Sequence, residues 1–195
     1  MTMKKIVSIG LVLIAQGALL ANMGPQGFAE FKNHYFVETG TYGGDSIVKA
    51  QQAGFKEIRS IEFDINLFKG ASNRFAQSND VTLYHGDSAK RLWDVIKDID
   101  GQITFWLDAH IYPPNGGKNC PLLEELDQIK QHHIKNHTIL IDDMHCAGTE
   151  AFDGLTQEDL INKILEINPN YTITYVPGGD GGEYPVNVMV ARVLE

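Results

Sequence analysis

The chain has 195 residues, the size of one ordinary domain, and at that length roughly 70% of the unfolded surface can be buried without a disulfide or metal scaffold. With 43% hydrophobic and 21% charged residues it is globular, neither disordered nor fibrous. The net charge of −9 disfavours a nucleic-acid partner, whose phosphates want a basic face, and two cysteines, Cys120 and Cys146, are too few for a disulfide-rich scaffold.

The N-terminus carries Lys4 and Lys5 and then an uncharged apolar run, Ile6 to Ala21. The run is short for a membrane-spanning helix, which needs about 20 residues. Residues 1–21 therefore read as a signal peptide or an N-terminal anchor helix, with Ala18 and Ala21 as cleavage candidates and a helix packed on the domain as the alternative. Cleavage would mean export. A retained helix would mean a cytoplasmic protein, with membrane contact through this segment if the helix anchors. Residues 22–195 read as a single domain.

From residue 35 the chain alternates between strand and helix patterns. Tyr35 to Val37 is a short apolar strand ending in Glu38 and a glycine-rich turn. Ser46 to Ala53 reads as a helix, with Gly54 suited to its C-terminal cap. Ile58 to Phe63 alternates as a strand does, Ile65 to Phe75 is weakly helical, and Val81 to Tyr84 is a strand. Ser88 is a candidate N-cap for a helix carrying Leu92, Val95, Ile96 and Ile99. Ile103 to Leu107 and Thr138 to Ile141 are continuous apolar runs, as in parallel strands covered on both faces. Between them Leu122, Leu123, Leu126 and Ile129 mark a helix opened by Pro121. Thr156 and Asp159 resemble a capping box ahead of Leu160, Ile161, Ile164 and Leu165. Tyr171 to Val176 and Val186 to Val193 follow with no helix between them, which implies an antiparallel pair.

These units assemble into an α/β fold: a Rossmann-like three-layer sandwich with a mostly parallel seven-stranded sheet and a C-terminal antiparallel hairpin. Three long loops, 109–120, 144–155 and 177–185, each follow the carboxyl end of a strand, the edge where open α/β sheets bind ligands.

The first strand is joined to the first helix by the turn Val37-Glu-Thr-Gly-Thr-Tyr-Gly-Gly-Asp-Ser46. Gly40 and Gly43-Gly44 let backbone approach a ligand closely, and the helix start offers free N–H groups to an anion. Glu62 lies 22 residues after Gly40, about the spacing at which an acid meets a ribose diol. A nicotinamide fingerprint, G-x-G-x-x-G, fails here because residue 42 is Tyr. A tight turn with no ligand is the bland alternative.

Glu38, Gly40, Tyr42 and Ser46 resemble motif I of class I S-adenosylmethionine-dependent methyltransferases, most closely the small-molecule O-methyltransferases of the catechol type. The resemblance runs over roughly residues 33 to 193 and lies in the strand ends. It implies a cofactor site of Glu38, Gly40, Tyr42, Gly44 and Ser46, with Ser46 and nearby amides on the methionine carboxylate. Glu62 would hold the ribose, Asp87 and Ser88 would flank the adenine, and Asp108 would border the cofactor.

A second cluster stands at two later strand ends, Asp108-Ala-His110 and Asp142-Asp143-Met-His145. Carboxylate oxygens are hard ligands suited to Mg²⁺ or another divalent cation, which could lower the pKa of a substrate hydroxyl. A neutral histidine could take the proton, its unperturbed pKa being near 6.5. The resemblance implies Asp108, Asp142 and Asp143 as metal ligands, and the Asp142 to His145 pattern resembles the macrocin-type sugar O-methyltransferases. A catechol-type lysine base is missing, since Ile111 stands in its place, so His145 or His110 is the expected base. His132, His133 and His137 sit around a helix end and are expected to be solvated. Trp106 is expected in the core, and Tyr112, Pro113 and Pro114 could form a lid or a surface loop.

The expected activity is methyl transfer from S-adenosylmethionine to a hydroxyl of a small molecule or carbohydrate. The alternative is a non-catalytic domain of the same fold that binds a nucleoside or glycan.

Overall fold

The computed structural model describes residues 23–110, 120–178 and 184–194. The expectations for residues 1–21, for Ile111, and for the Tyr112-Pro113-Pro114 wall lie outside these. Among the described residues no helix is long and apolar enough to cross a membrane.

The elements follow the expected alternation. They are α1 (Pro25–Glu30), β1 (Tyr35–Thr39), α2 (Asp45–Ala53), β2 (Glu57–Glu62), α3 (Ile65–Arg74), β3 (Val81–His85) and α4 (Ser88–Ile96). Then come β4 (Ile103–Leu107), α5 (Leu122–Gln131), β5 (Thr138–Ile141), α6 (Gln157–Ile167), β6 (Tyr171–Gly178) and β7 (Tyr184–Val193). Two short 3₁₀ turns, Met144–Cys146 and Glu150–Phe152, fill the loop after β5.

The seven strands form one sheet in the order β3-β2-β1-β4-β5-β7-β6. The first five are parallel, β7 runs antiparallel to β5, and β6 closes the edge antiparallel to β7. The strand order reverses between β1 and β4, which makes their carboxyl ends the ligand crevice of such a sheet. Both faces are covered, so both parities of the central strands are apolar. Phe36, Trp106, Leu140, Val188 and Val190 pack under α1 and α2 with Phe28, Ile47 and Phe55. Val37, Phe105, Leu107, Ile139 and Met189 face α4, α5 and α6 through Leu92, Leu126 and Leu160. Phe36 and Phe105 are wholly buried, and truncating either to alanine costs about 3–5 kcal/mol.

Helix starts carry the local chemistry. Asp87, not Ser88, caps α4: its carboxylate accepts from the Ala89 amide at 3.1 Å, while Ser88 is the first helical residue. From the residue before the first helical one the Asp87 carboxylate reaches a free amide of the first turn, which Ser88, already inside the helix, does not cap. Thr156 and Asp159 form the capping box of α6 in both directions. Gly54 ends α2 in the left-handed conformation.

Two histidines expected in solvent are buried. His132 and His137 are both inaccessible, while His133 stays exposed beside Asp100. The His137 Nδ1 accepts the Ile103 amide at 3.1 Å, so its proton is on Nε2, which donates to His132 Nδ1 at 3.1 Å. His132 Nδ1 also accepts the Ile134 amide, and its Nε2 donates to the Ile99 carbonyl at 3.0 Å. The pair thus plugs the loops under β4 and β5 as two neutral rings. Burial drives the His137 pKa down to about 3 and lowers that of His132. Proximity to a helix end was a poor guide, because the chain turns back under the sheet at once.

Candidate functional site

The turn after β1 occupies the crevice between β1 and β4. Gly40 has φ +85°, and a Cβ on it would lie 2.4 Å from the Asp108 carbonyl oxygen, so only glycine fits between the two strand ends. Gly44, at φ +80°, opens α2, and a Cβ there would strike the Phe75 ring. Tyr42 is also left-handed, at φ +47°, with its side chain in solvent. A non-glycine residue in that conformation is sparsely populated and marks a constrained turn.

Glu62 constrains it. Its carboxylate accepts the Tyr42 amide at 2.7 Å and the Asp64 amide at 2.8 Å, tying the first turn to the end of β2. Glu38 lies beneath, wholly buried, accepting from the Ser46 hydroxyl and from Ser60 Oγ at 2.5 Å. Thr41 completes this chain with a 2.5 Å bond to Ser60. Burial pushes the Glu38 pKa up to about 8, against the pull of the Ser46 and Ser60 hydrogen bonds. A carboxyl in that state gains from a cation brought close to it. Ser46 is bound to Glu38 and so is turned inward toward the acid. Asp87 is held by its capping role and by Lys90 at 2.6 Å, and Ser88 is buried against Gln128.

Asp108, Asp142, Asp143, His110 and His145 come together at the ends of β4 and β5. Ligand atoms of Asp108, His110 and Asp143 lie within 4.8 Å of one another. His110 is buried against the Phe152 ring at 4.5 Å, and among the described residues neither nitrogen has a hydrogen-bond partner. Its Nε2 stands 3.5 Å from Asp143 Oδ2 and 4.0 Å from Asp108 Oδ1, outside hydrogen-bond geometry. The nearness of His110 holds the Asp143 carboxyl below the usual range in spite of its burial. Asp108 is pushed well above it, first by burial and then by the charges of Asp142, Asp143 and Glu38. Burial, with Asp143 adjoining, raises Asp142 to about 6. Asp143 itself sits at φ +53°, a left-handed position in a non-glycine residue at the centre of the cluster.

A buried imidazole with its Nε2 toward two carboxylates suits a divalent cation. Asp142 differs from the other two acids. Its Oδ1 accepts from the Asp143 amide at 2.8 Å and from Asn187 Nδ2 at 3.0 Å. Asn187, on β7, is a site residue that the strand-end motifs do not reach. Its signal was a lone amide side chain in an otherwise apolar stretch, Val186 to Val190. His145 is half-exposed, with Nδ1 bonded to Asn187 Oδ1 at 2.6 Å. Cys120 and Cys146 are both free thiols, Cys120 buried and Cys146 partly so.

Comparison with solved structures bears on the architecture. The O-methyltransferase of tomaymycin synthesis from Streptomyces achromogenes, solved with S-adenosylmethionine, superposes with TM-score 0.60 at 16% identity, over 93% of this chain and 82% of that one. The chain has the methyltransferase fold. An O-methyltransferase from Bacillus cereus in complex with S-adenosylhomocysteine gives TM-score 0.60 at 14% identity, over 87% of this chain and 78% of that one. A methyltransferase from Podospora anserina, also bound to S-adenosylhomocysteine, gives 0.58 at 15% identity, over 88% and 76%. No protein-family model matches the chain, and no curated protein matches it in sequence.

Proposed function

We propose that the protein is an O-methyltransferase that moves the methyl group of S-adenosylmethionine to a hydroxyl of a small molecule or sugar, with a divalent cation, Mg²⁺ or a relative, at the acidic edge. The observation that carries this is the juxtaposition at the strand reversal. The Gly40 turn, with Glu38 buried under it and Glu62 clamped across it, abuts the backbone of Asp108, which leads into the acid and histidine cluster.

In this reading Glu62 has carboxylate lone pairs left for ribose hydroxyls, and a cationic cofactor would favour the ionised form of the buried Glu38 beside it. The cofactor supplies an electrophilic methyl group, and sulfur leaves as a neutral thioether when the carbon–oxygen bond forms. Asp108, His110 and Asp143 would hold the cation, which would lower the pKa of the acceptor hydroxyl. His110 is then a ligand and is closed off from solvent, so the proton goes to His145. The protein's main contribution is placing the oxygen in line with the methyl, about 3 Å away. An acidic edge suits a neutral hydroxyl compound better than a polyanion.

Calorimetric titration tests the reading. S-adenosylmethionine and S-adenosylhomocysteine should both bind the wild-type protein, and Glu62→Ala should abolish binding while the variant stays folded. Absence of heat from either compound at millimolar concentration would overturn it.

A further inference from the structure

Asn187 stands two residues along β7 from Met189, the pairing partner of Ile141, and so faces the residues that follow β5. Its side chain is buried and makes three hydrogen bonds to three residues of that loop. The orientation of its amide follows from its partners. Ionised Asp142 Oδ1 and Asp143 Oδ1 can only accept, so the two protons of Nδ2 go to them, at 3.0 and 3.4 Å. The amide oxygen is thereby left facing His145 Nδ1 at 2.6 Å. An amide oxygen has no proton to give, so the hydrogen of that contact belongs to the ring.

The other nitrogen of the ring agrees. His145 Nε2 lies 3.4 Å from Cys146 Sγ. Burial and the charges of Asp143 and Asp142 raise the Cys146 pKa, which keeps the sulfur a thiol. A thiol can donate to a ring nitrogen that carries a lone pair. The Cys146 contact is compatible with the arrangement that the Asn187 contact requires.

We infer that Asn187 is a positioning residue that fixes His145 as the tautomer protonated on Nδ1, with its lone pair on Nε2. Histidine in water prefers the opposite form, with the proton on Nε2. Asn187 reverses that preference because a ring turned the other way would set a lone pair against the amide oxygen. The same amide bridges Asp142 and Asp143, so one side chain sets the geometry of the paired acids and the ring together. The use of the Nε2 lone pair as a proton acceptor rests on the function proposed above, but the tautomer does not.

Long-range proton–nitrogen NMR of the ¹⁵N-labelled full chain, recorded at alkaline pH where the ring is neutral, tests this. His145→Gln identifies the signals by their loss. The expected result is a protonated, pyrrole-type Nδ1 and a pyridine-type Nε2 in the wild-type protein. Asn187→Leu should move the proton to Nε2 or give a mixture, with the other histidine signals unchanged. A pyridine-type Nδ1 in the wild type overturns the inference, as does a folded Asn187→Leu protein that keeps Nδ1 protonated. If that variant does not fold, the wild-type assignment decides alone. A protonated Nδ1 in a protein that binds no cofactor would support this inference while sinking the methyltransferase reading.

Discussion

The carbonyl oxygen of Asp108 occupies the space where a side chain on Gly40 would begin. A Cβ there would sit 2.4 Å from it, and the backbone angle, φ +85°, is one that other residues resist. Two strain terms therefore coincide at the point where β1 and β4 diverge. Gly40→Ala should lower stability by about 2–3 kcal/mol. It should also weaken S-adenosylhomocysteine binding, because the turn must retreat from β4. Thermal unfolding and calorimetric titration check the two parts separately. A variant with wild-type stability and affinity would contradict the crowding.

The acid cluster makes a prediction about cations. Asp143 holds the left-handed conformation that asparagine also tolerates, so Asp143→Asn should fold normally. It removes a negative charge beside His110 and replaces a carboxylate oxygen with an amide. Mn²⁺ affinity, followed by electron paramagnetic resonance, should fall by more than about tenfold. Activity, once an acceptor is found, should lose its dependence on added divalent cation. Equal wild-type activity in EDTA and in Mg²⁺ would remove the metal from the mechanism.

The buried histidines predict acid sensitivity. The folded-state pKa of His137 lies near 3 and the unfolded value near 6.5, so between those values the unfolded chain binds the proton and the native one does not. Stability from this residue is whole above pH 6.5 and falls as pH drops through that window. At pH 5 the loss is about 2 kcal/mol. Denaturant titrations at several pH values should reveal it, and His137→Gln, whatever its own cost, should lack that slope.

Glu125 predicts the opposite sign. This carboxyl is wholly buried on the inner face of α5, and burial raises its pKa to about 7 against the pull of the Ser88 and Thr39 hydroxyls. Neither hydroxyl completes a hydrogen bond to it. Here the native state holds the proton that the unfolded chain releases near 4.5, so stability declines as pH rises from there through 7. Glu125→Gln does not titrate. Its stability relative to wild type should grow with pH over that window, by up to about 3 kcal/mol. A constant difference from pH 4.5 to 8 would show that the acid is not protonated in the fold.

Much of the site was legible because strand ends in a parallel sheet share one edge. Once β1, β2, β4 and β5 are recognised, Glu38, Glu62, Asp108 and Asp142-Asp143 must gather there. Glu125 and Asn187 escaped that logic. Glu125 shares the helical face of Leu122, Leu126 and Ile129, so a charge on an apolar stripe was its only mark. Asn187 was a polar residue in an apolar strand. Neither mark says what the side chain meets.

Local pattern alone determined the α/β alternation, the glycine turn at the first strand, and the acids at the strand ends, since periodicity and turn chemistry act over a few residues. Tertiary structure alone decided that β7 inserts between β5 and β6, bringing Asn187 onto His145 across 42 positions. It also decided that Gly40 is pinned by Asp108 and that His132 and His137 are interior. These outcomes depend on contacts between residues distant in the chain. Such contacts are set by how the layers pack and by which polar groups must then find partners, and no short window of sequence contains both sides of them.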